Sequence, residues 1–138
     1  MLQVARFLLK SLTALLKGKN IEESVSYLKL LTEGNLSVEI RDPNQLNCPF
    51  LIRKILSMQA CAKVKEMGEK IQKGVSQKLS QKEVWDHYAG IVLVDAAISH
   101  SYLIMYNFFL EAAMKVQDES TKAMLINLLT LYGLEKIN

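Results

Sequence analysis

The sequence has few of the residues that interrupt helices and few that build covalent or metal-bound sites. Of its 138 residues, two are proline, six glycine and two cysteine. Proline and glycine are the residues least compatible with a helix interior, so their scarcity, beside abundant Leu, Ile, Ala and Lys, favours an all-α fold. Cys48 and Cys61 have no metal-ligand spacing with the two histidines. We therefore expect reduced thiols, no metal site and a single domain with one core.

Arginine is also scarce. The chain has 17 basic and 14 acidic residues, and only three of the basic residues are arginine. The lysines are scattered among acids, and no stretch combines arginines with stacking aromatic residues, as a nucleic-acid interface usually does. The composition therefore predicts no nucleic-acid partner.

Neither a targeting signal nor a membrane span is indicated. Arg6 and Lys10 interrupt the apolar N-terminal stretch, and no small-residue cleavage site follows it. The C-terminal Gly-Leu-Glu-Lys-Ile-Asn is unlike a Ser-Lys-Leu peroxisomal signal. Residues 89–109 are strongly apolar, but Asp95, His100 and the following Glu111 would be costly in hydrocarbon, so we expect a helix buried in protein. By itself the chain would then be cytoplasmic.

Helical periodicity predicts about five helices in an up-and-down antiparallel bundle. The single domain divides into a helical pair (1–34), a connecting loop (35–47) and a long-helix bundle (48–138). The loop is polar, contains Pro43, and alternates only at Leu36, Val38 and Ile40, which predicts a short extended patch.

Capping residues and glycines place the helix ends. The predicted helices run from Leu2 to Lys17, from Asn20 to Gly34, from Asn47 to Leu79, from Ser80 to about Gln117, and from Asp118 or Ser120 to Tyr132. Two of these helices begin with a capping-box pattern, Asn20 with Glu23 and Ser80 with Glu83. The fourth helix is predicted to be continuous despite Gly90.

Most helices carry an apolar set that is expected in the core. The members are Val4, Ala5, Leu8, Leu12, Leu15 and Leu16; Val25, Leu28 and Leu31; and Ile52, Ile55, Leu56, Val64, Met67, Ile71, Val75 and Leu79. The first helix is apolar nearly all round. The last helix keeps an uncovered apolar stripe, and its apolar residues are Met124, Leu125, Leu128, Leu129 and Leu131. We therefore expect a segment of a larger protein.

No pair of residues has the spacing of an acid and base. Asp95 and His100 are five residues apart, about 140° around a helix, so they do not share a face. His100 has apolar neighbours one turn away, which indicates a buried histidine bonded to another helix, although a general base is the alternative. Asp86 and His87 lie near a helix start, where an acid suits the helix dipole.

Large aromatic and methionine side chains recur along the long helices. The aromatic residues are Trp85, Tyr88, Tyr102, Tyr106, Phe108 and Phe109, and the methionines are Met58, Met67, Met105, Met114 and Met124. Core packing is the favoured interpretation, and a cavity for an acyl chain is the alternative. Phosphate loops, catalytic triads and zinc motifs are absent. We predict no catalytic residue and no metal ligand, and the cofactor-binding residues stay unknown.

Several motifs occur in the order typical of one enzyme family. They are LQVARFLLK (residues 2–10), GK (18–19), VSYL (25–28), Trp85, LVDAAISH (93–100), KVQD (115–118) and LLTLYG (128–133). Together they resemble the C-terminal helical region of the flavin-dependent acyl-CoA oxidases. The resemblance implies the helical C-terminal fold of acyl-CoA dehydrogenases and oxidases.

The resemblance also implies chemistry. Family members use FAD to convert a fatty acyl-CoA to the trans-2-enoyl thioester and release hydrogen peroxide, in peroxisomes and as homodimers. The family's catalytic glutamate precedes the stretch resembled here, so Glu22, Glu23 and Glu111 inherit no role. FAD is expected for the family but not for this chain alone, and acyl-CoA only in the full-length context. The expected partners are the remaining oxidase domains or a second subunit.

Three functions stay open at this point. The first is an oxidase segment that is inactive alone. The second is a non-catalytic helical scaffold, derived from the oxidase fold, that binds a partner through its apolar faces. The third is a bundle that holds an acyl chain between its aromatic-rich helices.

Overall fold

A computed structural model describes residues 2–34 and 37–137, and these are helical with no strand among them. The α-helices are α1 (Leu2–Leu16), α2 (Leu30–Glu33), α3 (Pro49–Ser76), α4 (Gln81–Glu83), α5 (Gly90–Met114) and α6 (Glu119–Lys136). Two 3₁₀ segments, Glu23–Lys29 and Pro43–Asn47, and one π-helical turn, Val84–Tyr88, complete the order. The prediction of an all-α bundle is confirmed.

Helices α3, α5 and α6 form the up-and-down part of the bundle. The Tyr106 hydroxyl on α5 donates to the Pro49 carbonyl at the start of α3, 2.7 Å away. At the other end, Gly74 of α3 lies against Val84 and Tyr88, so α3 and α5 are antiparallel. Helix α6 then runs antiparallel to α5, because Tyr132 contacts Met105 while the later Lys136 contacts the earlier Tyr102.

The core consists of two apolar clusters that share α3 and α5. One cluster lies between α1, the first 3₁₀ segment and these two helices, and it includes Leu8, Leu28 and Met67. The other lies between α3, α5 and α6 and includes Ile52, Tyr106 and Leu129. Helices α3 and α5 therefore contribute to both clusters, whereas α1 packs in the first and α6 in the second.

Most of the predicted core residues are buried or partly buried, but six are exposed, namely Leu16, Val75, Met105, Phe108, Met114 and Met124. Leu128 and Leu131 of α6 are exposed as well, in agreement with the uncovered apolar stripe expected on the last helix. Of the six, Leu16 and Val75 lie in the last turns of α1 and α3, and the others lie on α5 and α6. Periodicity cannot tell a core face from an uncovered apolar face, which is why these predictions were wrong.

The first helix ends close to its predicted end, whereas the second begins later than predicted and is mostly a 3₁₀ helix. Gly18 and Gly34 both have positive φ, 72° and 71°, as expected of glycines that follow helices. Asn20 does not cap a helix, because the next helical residue is Glu23 and the N-cap Glu22 has no side-chain bond. The segment begins as a 3₁₀ helix, and only its last four residues are α-helical.

The predicted loop contains a 3₁₀ turn. Asp42 and Gln45 form a capping box around Pro43, and the rest of residues 37–42 is irregular rather than a strand. Leu36, part of the predicted extended patch, lies outside the described residues. The N-cap of α3 is Cys48, one residue later than predicted, and its side chain makes no capping bond.

The ends of the long helices differ from the predictions in three places. Helix α3 stops at Ser76 because Lys78 takes a left-handed conformation, with φ of 60°. The capping box of Ser80 with Glu83 is confirmed. The helix that follows is not continuous to Gln117: a π-helical turn precedes α5, which ends at Met114. Asp118 caps α6, which continues past Tyr132 to Lys136.

Candidate functional site

A buried polar cluster joins the N-terminal part of the chain to α3 and α5. Tyr27 lies in the first 3₁₀ segment, and its hydroxyl is 2.8 Å from Nδ1 of His100 on α5. The Cys61 thiol on α3 donates to the Tyr27 carbonyl over 3.0 Å. The ring of Phe7 on α1 lies beside the His100 ring, with 6.5 Å between their centres. Four helical segments therefore meet at these side chains.

Burial determines the protonation of this cluster. It lowers the pKa of His100, so the imidazole is neutral near pH 7. With its proton on Nε2, the ring accepts the Tyr27 hydroxyl proton at Nδ1. Burial also raises the pKa of Tyr27, with Cys61 adding to the effect, and raises the pKa of Cys61 to about 12. None of the three groups is poised to exchange a proton near neutral pH.

The buried interpretation of His100 is therefore confirmed. The side chain is 8% exposed and bonded to another helical segment, as a structural histidine is. Asp95 and His100 are not brought together as an acid–base pair by any hydrogen bond or ion pair within the described residues. The sequence did not identify Tyr27 or Cys61 as partners, because their contact is made across the fold.

A groove of about 910 Å³ lies beside this cluster. The 3₁₀ segment, the first turns of α3 and the last turns of α5 form its walls. Its lining includes Tyr27, Phe50, Arg53, Asn107 and Met114. The Asn107 Oδ1 atom is buried with no hydrogen-bond partner in the described part of the chain. Acidic and basic residues both line the groove, so no single ligand charge is favoured.

A second groove, of about 780 Å³, lies beside the π-helical turn. Asp86, His87 and Asp95 line it together with Lys70. The Lys70 ammonium lies 4.7 Å from the centre of the Tyr88 ring. No group of three or more His, Cys, Asp or Glu side chains in residues 2–34 and 37–137 could hold a metal ion. Asp86 and His87 thus line a groove whose walls also include Ile91 and Val94.

The aromatic residues of the long helices do not enclose a cavity. Tyr106 is fully buried in the core and burial raises its pKa to about 12. Phe108 is 68% exposed. The others named from the sequence, Trp85, Tyr88, Tyr102 and Phe109, are partly buried against neighbouring helices. Trp85, Tyr106 and Phe109 pack in the core clusters, as expected, whereas the core position expected of Phe108 was wrong.

Helix α5 is long and apolar enough to cross a membrane by length and composition, and it is the one such helix in the described residues. Core helices of other proteins meet the same criterion. Here Leu93, Leu103 and Tyr106 of α5 pack in the core against other helices. This packing agrees with the sequence interpretation of α5 as a helix buried in protein.

A family model and several related proteins indicate the same family for this chain. The acyl-CoA oxidase family model matches residues 49–138. Peroxisomal acyl-coenzyme A oxidase 1 of Pongo abelii and that of Homo sapiens are each 30% identical to the chain over 148 residues, covering 100% of it and 21% of the relative. The enzyme of Cavia porcellus is 28% identical with the same coverage. The chain thus spans about a fifth of the length of these relatives, and it belongs to the acyl-CoA oxidase family.

Proposed function

We propose that this chain is a helical packing segment of an acyl-CoA oxidase and has no oxidase activity alone. The full reaction would turn a fatty acyl-CoA into its trans-2-enoyl thioester. A carboxylate must take the proton beside the thioester carbonyl, and FAD, when bound, would accept hydride from the next carbon and pass electrons to oxygen, releasing hydrogen peroxide. The described residues would have to supply the carboxylate and hold the flavin for the chain to be active alone.

The placement of the acidic residues supports inactivity. All 14 Asp and Glu residues lie in the described part of the chain, and none is buried. Asp95 is the one that is partly buried, and the other 13 are exposed. A carboxylate that removes a carbon-bound proton needs an environment dry enough to raise its basicity. The pKa values of Glu83 and Asp118 are instead lowered, by hydrogen bonds to Ser80 and Thr121 respectively.

The described grooves do not fit a flavin. An isoalloxazine ring needs two facing walls that exclude water from its reactive side. The groove at Tyr27 is open and lined by the charged side chains of Glu23, Arg53 and Glu111, while the groove at His87 is lined by two aspartates. We therefore assign no step of the reaction to a flavin held by these residues.

A packing role is supported by the apolar side chains that the bundle leaves uncovered. We define the outer face as five exposed apolar residues of α5 and α6, namely Met105, Phe108, Met124, Leu128 and Leu131. Exposed apolar surface of this kind commonly marks an interface. We propose that other oxidase domains or a second subunit cover it, and that the assembled protein acts in peroxisomes, where the named relatives act.

A peroxide assay tests the proposed inactivity. The purified 138-residue chain is incubated with excess FAD and palmitoyl-CoA, and peroxide is followed with a peroxidase-coupled dye. We expect a colourless protein and a rate no higher than that of a heat-denatured sample. A full-length peroxisomal acyl-CoA oxidase 1 is the positive control. Co-purified flavin together with peroxide release would overturn the proposal.

The second candidate function is a non-catalytic scaffold that binds a partner chain. The outer face supports it as well, because a stand-alone bundle with this surface would also bury it on another protein. The two candidates differ in the coding transcript. An open reading frame continuing upstream into the rest of an oxidase supports the first candidate, and an initiation site mapped to Met1 supports the second.

A further inference from the structure

A third groove lies along α1, away from the buried cluster and the outer face. Its volume is about 450 Å³, and its lining combines one face of α1 with Trp85 from the π-helical turn. Four basic residues line it, namely Arg6, Lys10, Lys17 and Lys19. No acidic residue does so among residues 2–34 and 37–137. Unlike the other two grooves, this one has a single sign of charge.

The cations of this groove are unpaired, whereas several lysines elsewhere are paired. Lys63, Lys65 and Lys115 form ion pairs with acids on their own helices. None of the four groove cations forms an ion pair within the described residues. The C-terminal end of the helix dipole favours Lys17, but Arg6 and Lys10 lie within the helix, where the dipole offers nothing. No carboxylate of the described residues lies within ion-pair distance to offset their mutual repulsion.

Trp85 positions the arginine of this groove. The Arg6 guanidinium lies 5.6 Å from the centre of the Trp85 ring, over its face. Stacking on an aromatic ring orients a guanidinium while leaving its N–H donors free for an anion. Along the helix axis, Lys10 follows at about 6 Å and Lys17 at about 16 Å from Arg6. The positive charge therefore forms a row rather than a single point.

We propose that this groove, formed by Arg6, Lys10, Lys17, Lys19 and Trp85, binds a condensed phosphate chain, either inorganic or as part of a nucleotide. A ligand that carries a high charge in a small volume matches a groove lined by a row of cations. Arginine and lysine are the side chains that bind phosphate most often. This site does not depend on the proposed oxidase role.

Trp85 makes the site directly observable, because it is the single tryptophan of the chain. The full chain is titrated with inorganic tripolyphosphate at constant ionic strength, and indole fluorescence and the melting temperature are both measured. We expect a saturable fluorescence change and a melting temperature that rises with ligand concentration. If adenosine triphosphate binds with the same affinity as tripolyphosphate, the site recognises the phosphates alone. If it binds more tightly, the nucleoside also contributes to binding.

Charge-matched variants separate a site from general attraction. Lys10→Gln with Lys17→Gln removes two groove cations, and Lys54→Gln with Lys73→Gln removes two exposed lysines of α3 outside this groove. The first pair is expected to raise the half-saturating concentration about tenfold, and the second to change it less than about twofold. Equal effects of the two pairs, no response in either measurement, or equal binding of an oligoglutamate of the same charge would overturn the proposal.

Discussion

Tyr27 forms hydrogen bonds that join the N-terminal part of the chain to both long helices, α3 and α5. The hydroxyl donates to His100, and the Tyr27 carbonyl accepts from the Cys61 thiol. Side-chain and main-chain atoms of one residue thus satisfy two buried groups on two helices. A buried nitrogen left without a partner costs more than the net value of the bond that it loses.

Tyr27→Phe is therefore expected to destabilise the fold. The ring still fills its place, but Nδ1 of His100 loses its donor, at a cost of about 1–2 kcal/mol in the free energy of unfolding. Urea denaturation followed by circular dichroism measures this change. Tyr132→Phe is the matched control, because the Tyr132 hydroxyl makes a weak contact, with the Met105 sulfur 3.9 Å away. Equal losses in the two variants would contradict the assigned bond.

His100 also predicts a pH dependence of stability. Its folded-state pKa is lowered by burial from the ordinary value of 6.5. Below that pH the unfolded chain binds a proton that the folded chain resists, so the free energy of unfolding falls as the pH falls through about 6.5. Denaturation at a series of pH values between about 5 and 7 measures the slope.

His100→Gln removes the titrating group and is expected to flatten that slope, since the glutamine carbonyl can still accept a proton from Tyr27. His87→Gln is the control, because His87 is exposed on the π-helical turn. The assignment fails if His87→Gln flattens the slope and His100→Gln leaves it as in the wild type.

At the scale of the elements, the tightest contact at a glycine of the described residues occurs at Gly133. A Cβ atom built on this residue of α6 would collide with Ile52 of α3 and lie 2.9 Å from Cε2 of Tyr106 on α5. Three helices therefore meet where only a hydrogen fits. Gly68 of α3 is also tight, but its nearest neighbour, 2.8 Å away, is the end of the flexible Leu12 side chain.

Gly133→Ala is expected to destabilise the protein by about 1–3 kcal/mol, because a buried ring and a β-branched side chain must both move. Gly68→Ala should cost less, since Leu12 can change rotamer and alanine favours the helix. Thermal unfolding of both variants compares them. A larger loss at Gly68 than at Gly133 would contradict the packing described for the three helices.

Some helix starts were predicted correctly from the sequence and others were not. The capping box of Ser80 and Glu83 was predicted because its bonds span three residues. The same kind of pattern at Asn20 and Glu23 was misleading, since the chain there becomes a 3₁₀ helix packed under α1 and α3. The capping box of Asp42 and Gln45 was missed although its residues have the required spacing.

The features that the sequence did not predict depend on contacts between residues that are distant in the chain. His100 was expected to be buried because its own helical neighbours are apolar, but Tyr27 is 73 residues away in the chain. The π-helical turn packs Val84 and Tyr88 against Gly74 of α3, a contact that no local pattern encodes. The row of cations in the third groove was also missed, because the lysine count over the whole chain concealed four basic residues that line one groove, two on α1 and two just after it.

At the scale of the whole molecule, the outer face predicts self-association of the isolated chain. Phe108 is 68% exposed and Leu131 66%, and both lie on helices that pair with each other. Replacing both with serine should shift the chain toward monomer in light scattering, with little change in melting temperature, since neither side chain is in the core. Val75→Ser removes an equally exposed side chain from α3 and is expected to have no such effect.

The two apolar clusters also divide the molecule into parts that can open separately. Among residues 2–34 and 37–137, α6 contributes to the cluster that includes Ile52 and Leu129, and α1 contributes to the cluster that includes Leu8 and Met67. Loss of α6 would leave the packing around Leu8 in place, and loss of α1 would leave that around Leu129. Amide hydrogens of α1 and α6 should thus exchange with solvent through independent partial openings, while those in the middle of α3 and α5 exchange only when the whole chain unfolds.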